Sequence, residues 1–333
     1  MIKPPPLQLG DTIGFFSPSS PATAFAPTRF ARAKTFLESK GYQLKAGALT
    51  GQSDYYRSGN IKERVDELNA LIRDPQVRCI MSTIGGMNSN SLLPYIDYDA
   101  LIQDPKIIIG YSDVTALLLG IYQRTGLITF YGPALVASFG ELPPLVEETF
   151  AAFQAATQPQ PLPFTYQQPQ LWTDAFIDWE SQTEPKPLVA NNCEFLGTGK
   201  ISGHLIGGNQ NTMTAIIGSD YFPEIKQGDI LLVEDCLSDM ATVERTTAQL
   251  KLAGVFDRVS AIILGKHEQF KDQGTGRQPI DIYREILNGQ DIPIINGFDA
   301  CHTHPMLTMP IGCQIEIDFD QQQVAITEPW LSR

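Results

Sequence analysis

In the first half of the chain, two textures of apolar spacing alternate. "DTIGFFS" (11–17) is a short β-branched and aromatic run closed by the turn formers "PSSP", which predicts a buried strand. After it Phe30, Ala33, Phe36 and Leu37 recur at helical spacing, with Pro27 suited to a first turn and Gly41 to a stop. Ile61, Val65, Leu68, Leu71 and Ile72 predict a second helix ending before Pro75. "RCIMSTIGG" and "KIIIGYSD" then read as strands, each followed by a helical pattern. Such alternation is the mark of a parallel sheet with helices on its faces, where ligands sit beyond the carboxyl ends of the strands. Both glycine-bearing segments should therefore end on one functional rim.

The texture changes after "TQPQPLPFTYQQPQ" (157–170), a Pro- and Gln-rich stretch with few core residues that reads as a linker. Beyond it come short strand-like runs, "GDILLVED", "VSAIILG" and "CQIEIDF", and one clear helix, "MATVERTTAQLKLAG". The expected fold is α/β, with an N-terminal parallel-sheet domain over 1–156, a linker region over 157–190 and a smaller β-rich domain over 191–333. "IGGMNSN" (84–90) and "IGGNQNT" (206–212) look alike but show no period, and both read as tight turns.

Composition narrows the function. A net charge of −13 argues against nucleic acid or an anionic membrane as the main partner, since both need clustered Lys and Arg. The five cysteines are scattered, without a CxxC pair, which suits reduced thiols in a cytoplasmic protein. No apolar leader or membrane-length run is evident.

The candidate chemistry centres on Ser112 in "IIIGYSDVTALLLG". A serine there can simply cap the following helix. It can also be a nucleophile lifted to the sheet edge, with the helix N-terminus facing a developing oxyanion. The segment is close to the elbow G-x-S-x-G, with Val114 in place of the last glycine. A serine needs a general base. His204 reads as a core or turn residue and His267 as exposed, which leaves His302 or His304 in "DACHTHPMLTMPIG". Glu234 and Asp235, directly after a buried strand, are the candidates for an orienting carboxylate. The glycines of "STIGGMNSN" can bring backbone N–H groups close to a ligand. No P-loop or dinucleotide fingerprint is present, and Cys301, His302 and His304 do not make a recognised metal motif. Neither metal nor cofactor is therefore expected.

These segments, from "GDTIGFFSPSSP" through "IGGMNSN", "GYSDVTAL", "GHLIGGNQNT" and "LLVEDCLSDMATVER" to "HTHPMLTMPIG", resemble the serine peptidases comprising the murein LD-carboxypeptidases and the microcin C immunity peptidases. The resemblance implies Ser112 as nucleophile, His302 as base and Glu234 as third member, with oxyanion donors at Asp113 and the Gly85–Gly86 turn. It implies a flavodoxin- or Rossmann-like N-terminal domain, a barrel-like C-terminal domain and a homodimer. "IGGMNSN" and "EDCLSDMATVER" are more similar to the microcin C immunity branch, whose members cleave an aminoacyl group from a modified nucleotide. Murein tetrapeptide carboxypeptidase is the alternative, and a non-catalytic peptide- or nucleotide-binding protein the alternative of another class. Substrate contacts are expected from Met87 and Asn88, from Trp172 or Trp179 by stacking, and from Arg245 on an anionic group.

Overall fold

The computed structural model describes residues 1–332. Strand Thr12–Phe16, buried along most of its length, pairs in parallel with Gln43–Ala46 on one side and Val77–Ser82 on the other. Val77–Ser82 pairs in turn with Ile107–Gly110, and that strand with Thr129–Tyr131, all in parallel. Helix Pro27–Ser39 has its proline in the first turn and buries Ala33 and Leu37, while Gly41 beyond it adopts a left-handed φ of 91°. Its Arg29 is also fully buried, which no apolar pattern announces. Helix Ile61–Arg73 starts with a reciprocal capping box between Asn60 and Glu63 and buries Val65, Leu68, Leu71 and Ile72.

A sixth strand completes this sheet from far along the chain. Met309–Ile311 lies antiparallel on Thr129–Tyr131, so the C-terminal half closes the edge beside the segment that carries Tyr131.

The second sheet is mixed and mostly antiparallel, in the order Phe164–Thr165, Gln323–Ile326, Gln314–Asp318, Lys200–Asn209, Ile230–Glu234, Ala261–Gly265, Ile294–Phe298, Glu194–Leu196. The three pairings from Lys200–Asn209 to Ile294–Phe298 are parallel. Helix Met240–Leu252 matches the expected one, and a second helix, Pro279–Leu287, packs beside it. One apolar cluster contains residues of both sheets, Ile109 and Phe130 together with Leu205, Leu232 and Ile263.

Two expectations change. The stretch 157–170 does pack: Phe164–Thr165 pairs with Gln323–Ile326, and Tyr166 is buried and donates its hydroxyl to the Thr308 carbonyl at 3.0 Å. Aromatic residues in a Pro- and Gln-rich context anchored it. The glycines of "IGGNQNT" are no tight turn, because Gly207 and Gly208 lie inside strand Lys200–Asn209 with φ of 130° and 149°. A Cβ on Gly207 would sit 1.9 Å from the Leu232 carbonyl oxygen, and one on Gly208 within 3.0 Å of Thr115 and Tyr131. Close backbone approach, rather than chain reversal, calls for glycine there.

Candidate active site

Strand Ile107–Gly110 delivers the chain to Tyr111, still extended, and then to Ser112, whose φ of 62° is left-handed. A non-glycine residue in that region is uncommon and costs on the order of 1 kcal/mol, and such residues gather at functional sites. A short 3₁₀ turn, Ser112–Val114, leads into helix Thr115–Thr125. Neither has a side-chain cap, so the N-cap reading of Ser112 does not hold. Gly110 still belongs to the strand. A Cβ on it would lie 2.5 Å from Ser82 Oγ and 2.8 Å from Val114 Cγ1, so glycine serves packing here.

Against this elbow lies the first glycine pair. A Cβ on Gly85 would fall 2.7 Å from Ser112 Cβ and 3.0 Å from both Ser112 Oγ and the Asp113 backbone nitrogen. The absence of a side chain at 85 therefore keeps space open at the serine hydroxyl and the first N–H after it. Gly86, at φ 147°, is equally constrained, since a Cβ would strike Ser19. Asp113 fixes the two loops together. Its Oδ2 accepts from the Asn88 and Ser89 N–H groups at 3.0 and 2.9 Å, and its carbonyl from Ser89 Oγ at 2.6 Å.

The acid and the imidazole come from the second sheet. Glu234 ends strand Ile230–Glu234 and is fully buried. His302 lies in the loop after Ile294–Phe298, and its Nδ1 is 2.6 Å from Glu234 Oε2, which also accepts the His302 backbone N–H at 3.2 Å. The other oxygen, Oε1, accepts from Tyr131 Oη at 2.5 Å and Asn209 Nδ2 at 3.1 Å. Burial alone would raise the Glu234 pKa, but His302, Tyr131 and Asn209 together hold it below the usual carboxylate range. Burial also works against an imidazolium, yet the neighbouring Cys236 and Glu234 raise His302 well above the ordinary histidine value. Its Nε2 is buried without a hydrogen-bond partner. The Tyr111 ring, next to Ser112, meets the His302 ring edge-on at 4.8 Å. Nδ1 is thus committed to an anion, while Nε2 is left without a hydrogen bond, with the Cys236 side chain beside the ring.

Asp235 takes a different environment. Its Oδ1 accepts from Asn209 Nδ2 and the Cys236 N–H, and its Oδ2 has no partner. Burial, then the Glu234 charge, raises it to about 6. Of the two candidate carboxylates, only Glu234 touches an imidazole.

His304 is turned away from this pair. Its backbone exchanges two hydrogen bonds with Thr173, at 2.9 and 3.0 Å, and burial, followed by the Lys186 charge, lowers its pKa to about 3. It neighbours a buried polar cluster in which Arg29 bonds Glu141 at 3.0 Å and Gln182 at 2.8 Å, with Lys186 3.5 Å from Glu141. His267 is half-buried rather than exposed, with Nδ1 3.2 Å from the Gly265 carbonyl. His204 lies in strand Lys200–Asn209, 4.0 Å from Asp229.

The proposed substrate contacts are scattered. Met87 is 84% exposed beside the elbow, and Asn88 Oδ1 is occupied by Ser19 and Arg64 at 3.0 and 2.7 Å. Trp179 packs on Arg29, 4.7 Å from its guanidinium carbon, and stacks with Phe25, whereas Trp172 lies over Lys266 at 5.1 Å. Arg245 is exposed on helix Met240–Leu252, with no partner among the described residues. The sequence reading missed Tyr131, Asn209 and Gly265. Only Asn209 had a signal, the glycine pair before it.

Two family models match the chain, the LD-carboxypeptidase N-terminal domain over residues 13–132 and the LD-carboxypeptidase C-terminal domain over 202–317. A carboxypeptidase-named protein of Vibrio cholerae is 62% identical over 325 residues, covering 98% of this chain and 97% of that protein. The microcin C7 self-immunity protein MccF of Escherichia coli is 56% identical over 330 residues, covering 98% and 96%. The solved structure of wild-type MccF in its apo state superposes with a TM-score of 0.98 at 55% identity over the whole of both chains. MccF in complex with aspartyl sulfamoyl adenosine superposes equally well. With both halves matched and a relative this similar along its length, the chain belongs to the LD-carboxypeptidase family and is a peptidase of that type.

Proposed function

We propose that the chain is a serine peptidase of the microcin C immunity kind, cleaving the amide-type bond between an acidic aminoacyl group and a modified nucleotide. Ser112 Oγ adds to the acyl carbon while its proton passes to His302 Nε2, and Glu234 stabilises the imidazolium through Nδ1. The oxyanion lies at the Asp113 N–H and the Gly85–Gly86 turn. The C–N bond then breaks, and the leaving nitrogen takes the proton from His302. Water, deprotonated by the same imidazole, hydrolyses the acyl-enzyme and restores Ser112.

The observation that carries this reading is a His302 whose Nδ1 is held at 2.6 Å by Glu234 and whose ring lies 4.8 Å from that of Tyr111, the residue before a left-handed Ser112. MccF structures with aspartyl sulfamoyl adenosine and with glutamyl sulfamoyl guanosine support the substrate class. The nucleotide would stack on Trp179 or Trp172. Exposed Arg245 lends no support to an anion contact, while Met87 and Asn88 stand beside the elbow. The halves 1–156 and 191–333, joined by 157–190, would carry nucleophile and acid–base pair respectively, in a cytoplasmic homodimer without cofactor.

The test is turnover of purified protein on aspartyl sulfamoyl adenosine beside a murein tetrapeptide, read by chromatography. Release of aspartate, abolished in Ser112→Ala and His302→Ala, supports the proposal. Cleavage of the tetrapeptide alone moves the assignment to cell-wall peptides, and turnover persisting in Ser112→Ala overturns the triad. A fluorophosphonate that fails to label Ser112, with no turnover of either compound, leaves a binding protein.

A further inference from the structure

The Ser112 elbow and Glu234 belong to different sheets, yet one side chain touches both. Tyr131 ends strand Thr129–Tyr131 of the first sheet, and its fully buried hydroxyl donates to Glu234 Oε1 at 2.5 Å. Tyr131 Oη in turn accepts the Ser112 backbone N–H, at a longer 3.4 Å. Two residues are thus tied through one phenol, 103 positions from the acid and 19 from the nucleophile.

A second link runs in parallel. Asn209 donates from Nδ2 to the same Oε1, and its backbone N–H donates to Thr115 Oγ1 at 2.9 Å, three residues past Ser112. The strand end reaches this depth only because residue 208 is glycine, whose missing Cβ would meet Thr115 and Tyr131 at 2.8 and 3.0 Å. The "GGN" stretch is therefore a seam element: Gly208 leaves room for Thr115 and Tyr131, and Asn209 reaches the carboxylate oxygen that Tyr131 also holds.

We infer that Tyr131 is a positioning residue for catalysis, a neutral donor that sets both the orientation and the basicity of Glu234 and ties that carboxylate to the nucleophile elbow. The inference rests on the triad reading above. The chemistry follows from the donor count. Glu234 accepts from two neutral donors on Oε1 and from His302 on Oε2. Hydrogen bonds from a carboxylate's neighbours disperse its charge, so each neutral donor weakens its pull on the imidazole proton. Without the phenol, Glu234 becomes a stronger base toward the His302 imidazole, and the tie to the nucleophile elbow is lost. His302 is then harder to deprotonate, and the acid limb of activity moves to higher pH. The other titratable groups facing this carboxylate are Asp235, Cys236, His267, Glu268 and Cys301, all of which a substitution at 131 retains.

The experiment is Tyr131→Phe, which keeps the buried ring and removes one oxygen, assayed on aspartyl sulfamoyl adenosine across pH. The expected result is a fall in kcat of about 10- to 100-fold, the range for a lost hydrogen bond to a charged group. KM should change less than threefold, and the acid limb of kcat/KM should rise by at least half a pH unit. Should the variant fold poorly, 3-fluorotyrosine at 131 retains shape and hydroxyl as a stronger donor, and the limb should then move down. A loss of kcat with an unmoved limb in either protein would mean a structural role and overturn the inference, as would unchanged kinetics. Ser112→Ala, run alongside, separates this outcome from failure of the triad itself, since turnover surviving there sinks the triad whatever Tyr131 does.

Discussion

Gly265 and Glu234 stand back to back on adjacent parallel strands, so close that a Cβ on Gly265 would lie 2.7 Å from the Glu234 Cβ and 3.1 Å from that of Cys301. Gly265→Ala therefore drives a methyl between the acid and the residue before His302. Overpacking of this kind costs about 1–3 kcal/mol. We expect a modest drop in Tm by calorimetry but a fall in kcat of at least tenfold, because the 2.6 Å contact between Glu234 and His302 is pried open. Wild-type kcat in this variant would show that the wedge is absorbed elsewhere.

Gly85→Ala acts on the other partner. The added methyl would fill the space above Ser112 Oγ and the Asp113 N–H, where the mechanism proposed above puts the tetrahedral oxyanion. Loss of an oxyanion donor costs roughly 10²–10³ in kcat. We expect a loss of that size together with slowed fluorophosphonate labelling, while circular dichroism stays unchanged. Labelling at the wild-type rate would place the oxyanion elsewhere.

The environment of His302 fixes the sign of the pH profile. Burial disfavours its charged form, but Cys236 and Glu234 outweigh burial and raise its pKa well above the ordinary value of about 6.5. With the neutral imidazole as the base proposed above, kcat/KM should climb through a limb above pH 6.5. Glu234→Gln removes the carboxylate, so its residual activity, lower by about 10³–10⁴, should show a limb at lower pH. A limb that does not move on this change would detach Glu234 from His302.

His304 leaves a different signature, in stability. Burial first, then the charge of Lys186, lowers its pKa to about 3 from an unfolded value near 6.5. A depressed folded pKa means that the unfolded chain binds the proton first. The contribution of His304 is therefore intact above pH 6.5 and is lost progressively as pH falls toward 3. His304→Gln, which leaves the Thr173 backbone pairing possible, should flatten the fall in Tm between pH 7 and pH 5. An equally steep fall would assign the acid sensitivity to other groups.

Much of this molecule was readable because its strands and helices are locally decided. The runs ending at Phe16, Ser82, Gly110, Glu234 and Gly265 all became strands, because β-branched residues between turn formers suit a buried sheet. The site was readable where function leaves a local trace, as with a serine after such a run or a glycine pair. Tyr131 left none. Its role exists because Met309–Ile311 and Thr129–Tyr131 pair across some 180 residues, and only the folded chain brings its hydroxyl to Glu234. Arg29 escaped for a related reason, since a buried guanidinium is acceptable only once Glu141, Gln182 and two carbonyls surround it. Gly207 and Gly208 were misread because a glycine pair signals a turn in isolation, whereas here the constraint comes from neighbouring backbone and side chains.

The antiparallel strand Met309–Ile311, borrowed by the first sheet from the second half, has a consequence for inheritance. A fragment ending in the 157–170 stretch would carry Ser112 but expose the unpaired edge of Thr129–Tyr131, an invitation to aggregation. The rest of the chain would hold the Glu234–His302 pair with nothing for it to activate. Neither piece could be shuffled onto a new partner without losing both solubility and chemistry, so gene fusion and fission should spare this boundary and the two halves should travel as one reading frame.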